Sequence, residues 1–151
     1  MLPVPALCDV NVLLALVTDR HVFHGLAVRW VESVPPGDVV LCRVAQMGFL
    51  RLLNNPAVMR EEAVNAAGCW SIWHRLLEDE RFRFASEEPV GLDVSFERFT
   101  IGRAFNPRVW TDAYLAAYAL AARLTIVTFD KAFRGFPGLT CEVLEPRRTS
   151  G

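Results

Sequence analysis

The sequence predicts an α/β fold: one domain on a central parallel sheet, in the strand order 3-2-1-4-5, with helices on both faces. Three observations carry this. The strand-like segments are short, continuously apolar runs, as expected of strands covered on both sides. Longer helical patterns separate them, which is the spacing of right-handed crossovers. The 151 residues fit a single domain, with no repeat and no linker dividing them.

The elements follow in order. Residues 1–8 are apolar and read as a buried strand that ends at Asp9. Residues 10–17 begin a helix with Asn11 as a candidate cap. Residues 22–34 carry Leu26, Trp30 and Val34 at helical spacing, and Pro35-Pro36-Gly37 stops them. Residues 38–42 (DVVLC) form the second strand, and residues 43–53 a helix ended by Asn54-Asn55-Pro56. A longer helix is expected over residues 60–77. The alternating RFRFA of residues 81–85 suits an edge strand. A helix over 93–101, a loop through Gly102 and Asn106-Pro107, and an Ala-rich helix over 111–123 come next. LTIVTF at 124–129 should be a central strand closed by Asp130, and residues 139–144 the last strand. The domain is expected to span residues 1–146, with 147–151 a disordered basic tail.

Composition sets bounds. Apolar residues make up 52% of the chain, which excludes a disordered class and leaves apolar surface for a dimer or partner interface. The net charge of −1 gives no global attraction to nucleic acid. Fifteen Arg against one Lys, Lys131, is best explained by a GC-rich coding sequence, although Arg also suits local bidentate phosphate contacts. Cys8, Cys42, Cys69 and Cys141 are far apart and read as buried thiols in a reducing compartment. No apolar run is long enough for a membrane span and no basic region precedes the N-terminal apolar stretch, so a cytoplasmic location is expected.

In such a fold, ligands bind at the C-terminal ends of the strands where the strand order reverses. Asp9 ends the first strand, Asp130 ends the fourth, and Asp112 opens the helix leading to it. Three acids distant in sequence would then meet. Two like charges ~4 Å apart repel by about 4 kcal/mol at an effective dielectric near 20, which a proton or a divalent cation relieves. Oxygen ligands without His or Cys select Mg²⁺ or Mn²⁺, the equipment for phosphodiester hydrolysis. Each acid also has a plainer reading: Asp112 as a helix cap beside Thr111, and Asp130 as a cap of the following turn. Asp9 is the hardest to dismiss, because an unpaired acid among Cys8 and Val10 is costly when buried.

The segments CDVNVLLAL (8–16), CRVAQMGFLRLLNNPAV (42–58), WTDAYLAAYALA (110–121) and IVTFDKAF (126–133), with the turn over 136–139, together resemble the PIN-domain family, specifically the VapC-type toxin ribonucleases of type II toxin–antitoxin pairs. The resemblance implies a Mg²⁺- or Mn²⁺-dependent endoribonuclease, usually a homodimer, neutralised by a cognate VapB-type antitoxin. Asp9, Asp112 and Asp130 match three of the family's acids and are the expected metal ligands and catalytic residues. Thr128 matches the supporting hydroxyl and Asn11 the polar position after the first acid. Gln46 stands where the family's second acid is a Glu, as in a branch that carries Gln there. It offers a neutral acceptor to orient a water or ligand, and the site loses one negative charge.

Other residues weigh less. The His21-x-x-His24 pair and His74 find no companion at zinc spacing, so capping or surface contact is the reading. Trp30, Trp70, Trp73 and Trp110 suit core or dimer packing better than base stacking, with Trp110 notable for its place before Asp112. Arg43, Arg51, Arg108 and Lys131 are the leading candidates for RNA backbone contacts, with Arg103 and Arg134 behind them. Two rival readings remain. One is a catalytically weak or inactive PIN-fold module that binds RNA or an antitoxin. The other is an aspartyl-phosphate protein, which the missing second acid in Asp9-Val10-Asn11 disfavours.

Overall fold

The computed structural model describes residues 5–104 and 106–147. Its order is β1 (Ala6–Cys8), α1 (Val10–Val17), α2 (His24–Glu32), β2 (Val39–Leu41), α3 (Arg43–Leu53), α4 (Pro56–Met59), a 3-10 turn (Arg60–Glu62), α5 (Ala66–Glu78), β3 (Phe82–Phe84), α6 (Leu92–Thr100), α7 (Val109–Ala122), β4 (Thr125–Thr128), a second 3-10 turn (Lys131–Gly135) and β5 (Cys141–Val143). The five strands form one sheet in the order β3-β2-β1-β4-β5. All four pairings are parallel, and β1 is central, pairing Ala6 with Val39 on one side and with Thr125 on the other. The predicted architecture is the observed one.

Strand geometry explains the continuous apolar runs. Successive side chains point to opposite faces, and here both faces are covered. Ala6 and Cys8 of β1, with Val39 and Leu41 of β2, pack with Leu13, Phe49 and Trp73. Leu7, Val40 and Ile126 face the other way, onto Leu115, Ala116 and Phe133. The sheet is thus the middle of three layers. Because every strand is parallel, the loops leaving their C-terminal ends share one rim.

The structure corrects several element ends. Asp9, not Asn11, caps α1, by accepting a hydrogen bond from the Val10 N–H; Asn11 is exposed. The helix expected over 60–77 is broken: Arg60 adopts φ 55°, the chain passes through the 3-10 turn, and Asn65 starts α5 by accepting from the Gly68 N–H. A side-chain acceptor at an N-cap satisfies donors that the helix itself cannot, so Asn65 sets the boundary. The second helix begins at His24 rather than residue 22. The last helix starts at Val109, ahead of Thr111, so neither Thr111 nor Asp112 is its cap. The start of the predicted first strand, residues 1–4, and residues 148–151 of the predicted tail lie outside the described residues.

The close approach of α3 to α1 fixes the rim. A Cβ at Gly48 of α3 would lie 3.1 Å from Val10 Cγ2, the residue after Asp9. Behind it, Phe49 is fully buried. Phe49→Ala should cost about 3–5 kcal/mol of unfolding free energy, the usual range for emptying an aromatic core site. Urea unfolding followed by circular dichroism checks it; a loss below about 1 kcal/mol would mean the site collapses or is loosely packed.

Candidate active site

Among the described residues, three polar side chains are buried: Thr128 (0% exposed), Gln46 (4%) and Asp9 (6%). All three stand at the C-terminal rim, at the ends of β4, β2 and β1 or in the turn that follows. Burying polar groups there costs free energy unless they are bonded, so a cluster of them in so apolar a chain marks a purpose other than packing.

Asp9 continues β1 by donating its N–H to the Val127 carbonyl at 3.0 Å. Its carboxylate is held by two donors. Oδ1 accepts from the Val10 N–H at 2.8 Å and Oδ2 from the Thr128 hydroxyl at 2.7 Å. The same Thr128 oxygen accepts the Asp130 N–H at 2.9 Å. One hydroxyl therefore joins two strand ends, β1 and β4. Burial pushes the Asp9 carboxyl upward, the bonds from Thr128 and Val10 pull it back, and the charge of Asp130 raises it again. The net direction is up. Asp130 is exposed and, as the plainer reading anticipated, caps its own turn: Oδ1 accepts from the Ala132 N–H at 2.9 Å.

Asp112 lies in the first turn of α7. Its carboxyl is raised to about 6, first by burial and then by the charges of Asp9 and Asp130, with Arg108 opposing. The three acids that the sequence singled out are therefore close enough to feel one another. Among the described residues, no three His, Cys, Asp or Glu side chains form a ready-made metal cluster. The donor set still fits a hard divalent cation: it is all oxygen, it repels itself when bare, and each carboxylate keeps lone pairs beyond its present bonds. Mg²⁺ in particular takes one or two carboxylates and keeps its waters.

Gln46, in the first turn of α3, accepts from Arg43 Nη1 through Oε1. Arg43 also lies over the Phe84 ring, 4.7 Å from its centroid. Lys131 pairs with Glu145 at 3.2 Å, and Arg134 reaches the same carboxylate at 4.0 Å. Arg103 packs on Phe136 and donates to the Phe99 and Gly135 carbonyls. Arg51 and Arg108 are exposed, and only Arg108 stands by an acid. Asn11 makes no hydrogen bond to Asp9. His21 accepts the Phe23 N–H and His24 bonds the Ala15 carbonyl, so both do local structural work. Trp110 is exposed and meets Phe96 edge-on. Sequence reasoning missed the Phe84–Arg43–Gln46 contact and the Glu145 tie. The i, i+3 spacing of Arg43 and Gln46 on a helix was the available signal for the first; nothing local signals the second.

The PIN domain family matches residues 6–139 of the chain. The chain is 35% identical over 142 residues to Ribonuclease VapC41 of Mycobacterium tuberculosis, covering 91% of this chain and 97% of that protein. It is 33% identical over 137 residues to Ribonuclease VapC44 of the same organism, covering 89% and 94%. In fold it resembles the crystal structure of Mycobacterium tuberculosis VapC20, described as a Sarcin-Ricin loop cleaving toxin, with a TM-score of 0.66 at 20% identity over 89% of this chain and 96% of that one. It also resembles VapBC2 from Rickettsia felis bound to a promoter DNA fragment, with a TM-score of 0.64 at 11% identity over 93% and 98%.

Two outcomes follow from the acid geometry. The folded chain binds the Asp112 proton more tightly than the unfolded chain does, its carboxyl standing at about 6 against an ordinary 3.8. The stability this gives is full below the ordinary value and is lost as pH rises through about 6. Metal-free Asp112→Asn should therefore match wild type near pH 4 and exceed it at pH 7.5, by about 1 kcal/mol once solvent screening of this half-buried group is allowed for. Thermal melts in EDTA across that range check the crossing; parallel curves would remove Asp112 from the cluster. Thr128→Val keeps shape but strips Asp9 of a donor and the Asp130 N–H of an acceptor, a loss of about 1–3 kcal/mol by denaturant unfolding.

Proposed function

The chain belongs to the PIN-domain family, in its VapC-type branch, and from that premise we propose that it is a Mg²⁺- or Mn²⁺-dependent endoribonuclease toxin held in check by a cognate VapB-type antitoxin. The observation that carries the reading is the set of buried polar residues at the rim, where Asp9 and Thr128 are bonded to each other at 2.7 Å and Asp112 is raised to about 6 by burial and then by the charges of Asp9 and Asp130.

Asp9, Asp112 and Asp130 would hold the cation, directly or through water. Bound there, it supplies Lewis-acid stabilisation of a phosphoryl oxygen and a water of lowered pKa. The chain's own residues do the rest. The Thr128 hydroxyl and the Val10 N–H pin the Asp9 carboxylate, so its orientation need not be found during the reaction. Protonation of Asp112, whose metal-free carboxyl stands at about 6, would remove one of the charges offered to the cation, so activity should fall at acid pH. Arg108 supplies positive charge beside it for the RNA backbone. Lys131 is tied to Glu145, and Arg51 stands in the last turn of α3, away from the helix end that follows β2.

The partners follow the same premise. Relatives in fold include VapBC complexes, among them VapBC-1 from nontypeable Haemophilus influenzae. We take a VapB-type antitoxin to be this chain's inhibitor on that ground. A homodimer suits the groove of about 560 Å³ lined by Val44, Met47, Leu50 and Trp70, where Met47 is 62% and Trp70 45% exposed. No helix among the described residues is long and apolar enough to cross a membrane, and the four free thiols suit the cytoplasm. One observation favours the second reading, a weak or inactive binding module: Gln46 brings no charge to the acid cluster.

Incubating labelled single-stranded RNA with the chain should give cleavage with Mn²⁺ and none in EDTA. Asp9→Asn should lower the rate by roughly 100-fold or more, the scale of losing a group aimed at the reacting charge. Equal cleavage by both proteins would place the activity elsewhere. RNA binding without any metal-dependent cleavage would establish the binding module.

A further inference from the structure

Gln46 is 4% exposed, and its Oε1 is committed to Arg43 Nη1. A guanidinium has donors and no acceptor, so only the amide oxygen can face it, and the orientation of this amide is chemically fixed. Arg43 is held in turn over the Phe84 ring at 4.7 Å. The Gln46 amide nitrogen makes no hydrogen bond, and it is not sealed off either: among the described residues the one buried side-chain N or O atom lacking a partner is Thr18 Oγ1. Gln46 therefore stands in a nearly closed setting with its two N–H donors unpaired and its amide nitrogen just reached by solvent. Asp9 and Gln46 stand at neighbouring strand-to-helix junctions, because β1 and β2 are adjacent and parallel, Asp9 caps α1 and Gln46 lies in the first turn of α3.

Resting on the nuclease reading above, we propose that Gln46 is a hydrogen-bond donor to an anionic phosphate oxygen of the RNA and not a ligand of the cation, and that Arg43 is a positioning residue acting through it. The carbonyl that would ligate a metal faces the Arg43 guanidinium, whose positive charge opposes a cation at the same oxygen. A positive partner on that carbonyl also polarises the amide and strengthens its N–H donors. The neutral side chain is then the useful one. A carboxylate could not donate to phosphate, whereas the amide gives two donors and takes no charge away from the cation. Arg43 reaches the substrate only through this link, since its ring contact and its bond to Gln46 hold the guanidinium in place.

The test uses Gln46→Met, which conserves volume, Arg43→Met at an exposed helix position, and the double variant. The first readout is the Mn²⁺ dissociation constant by calorimetry. Gln46→Met should leave it within about twofold of wild type; a weakening of roughly tenfold or more would make the carbonyl a ligand and overturn the proposal. The second is the Gln46 side-chain amide resonance, identified by its loss in Gln46→Met. It should move on adding inorganic phosphate together with Mg²⁺ and stay put with Mg²⁺ alone; the reverse pattern would overturn the assignment. The third is single-turnover RNA cleavage, in which each variant should slow the reaction roughly tenfold, the worth of one hydrogen bond to a charged group, with the double variant no slower than either. Additive losses would mean that Arg43 touches the RNA itself. Should wild type cleave nothing, the nuclease reading fails alone, and the calorimetry and the amide titration still decide the role of Gln46.

Discussion

Everything at the rim depends on one buried carboxylate. Asp9 sits at the end of the central strand, where water can do little for its charge, and it is bearable there because two donors reach it. One comes from the helix it caps, the other from the strand beside it. The acid therefore serves both jobs at once: it starts α1 and it anchors the end of β4 through Thr128. This double duty explains why no second residue is needed to cap α1, and why Asn11 is left facing solvent.

Much of this was legible in the sequence. Continuous apolar runs ending in acids gave the parallel sheet and the position of Asp9, because strands covered on both faces leave little room for polar residues except at their ends. Thr128 was legible as a neighbour of Asp130, though not as the hydroxyl that bonds Asp9 across 119 positions of chain. The break near residue 63 was not legible. The residues around it are acceptable helix formers, and the positive φ of Arg60 is a backbone conformation that an arginine does not signal in sequence. Likewise the sequence gives Arg43 and Gln46 their helical spacing but cannot say that Phe84, from the edge strand β3, holds the guanidinium still.

The basic residues show how composition misleads. Fifteen arginines invited a reading of many phosphate contacts. In the fold, Arg43 supports an amide, Arg81 pairs with Asp79, and Arg103 braces the turn after Asp130 against Phe136. What remains near the acids is a small positive presence, Arg108 above all. A chain with a net charge of −1 thus keeps its attraction local, and long-range steering of an RNA by the whole molecule is weak.

The path of the chain after β5 has a practical side. Leu144 donates to the Thr128 carbonyl at 2.8 Å and Glu145 reaches Lys131 and Arg134, so this segment doubles back along the Asp130 turn. Pro5, by contrast, meets Thr125 at the opposite end of the strands. An affinity handle fused behind β5 would follow a segment tied to the Asp130 turn, and a polyhistidine one would bring its own appetite for transition metals to the end of the sheet where cation loading is to be measured. A handle ahead of β1 starts from the opposite ends of the strands.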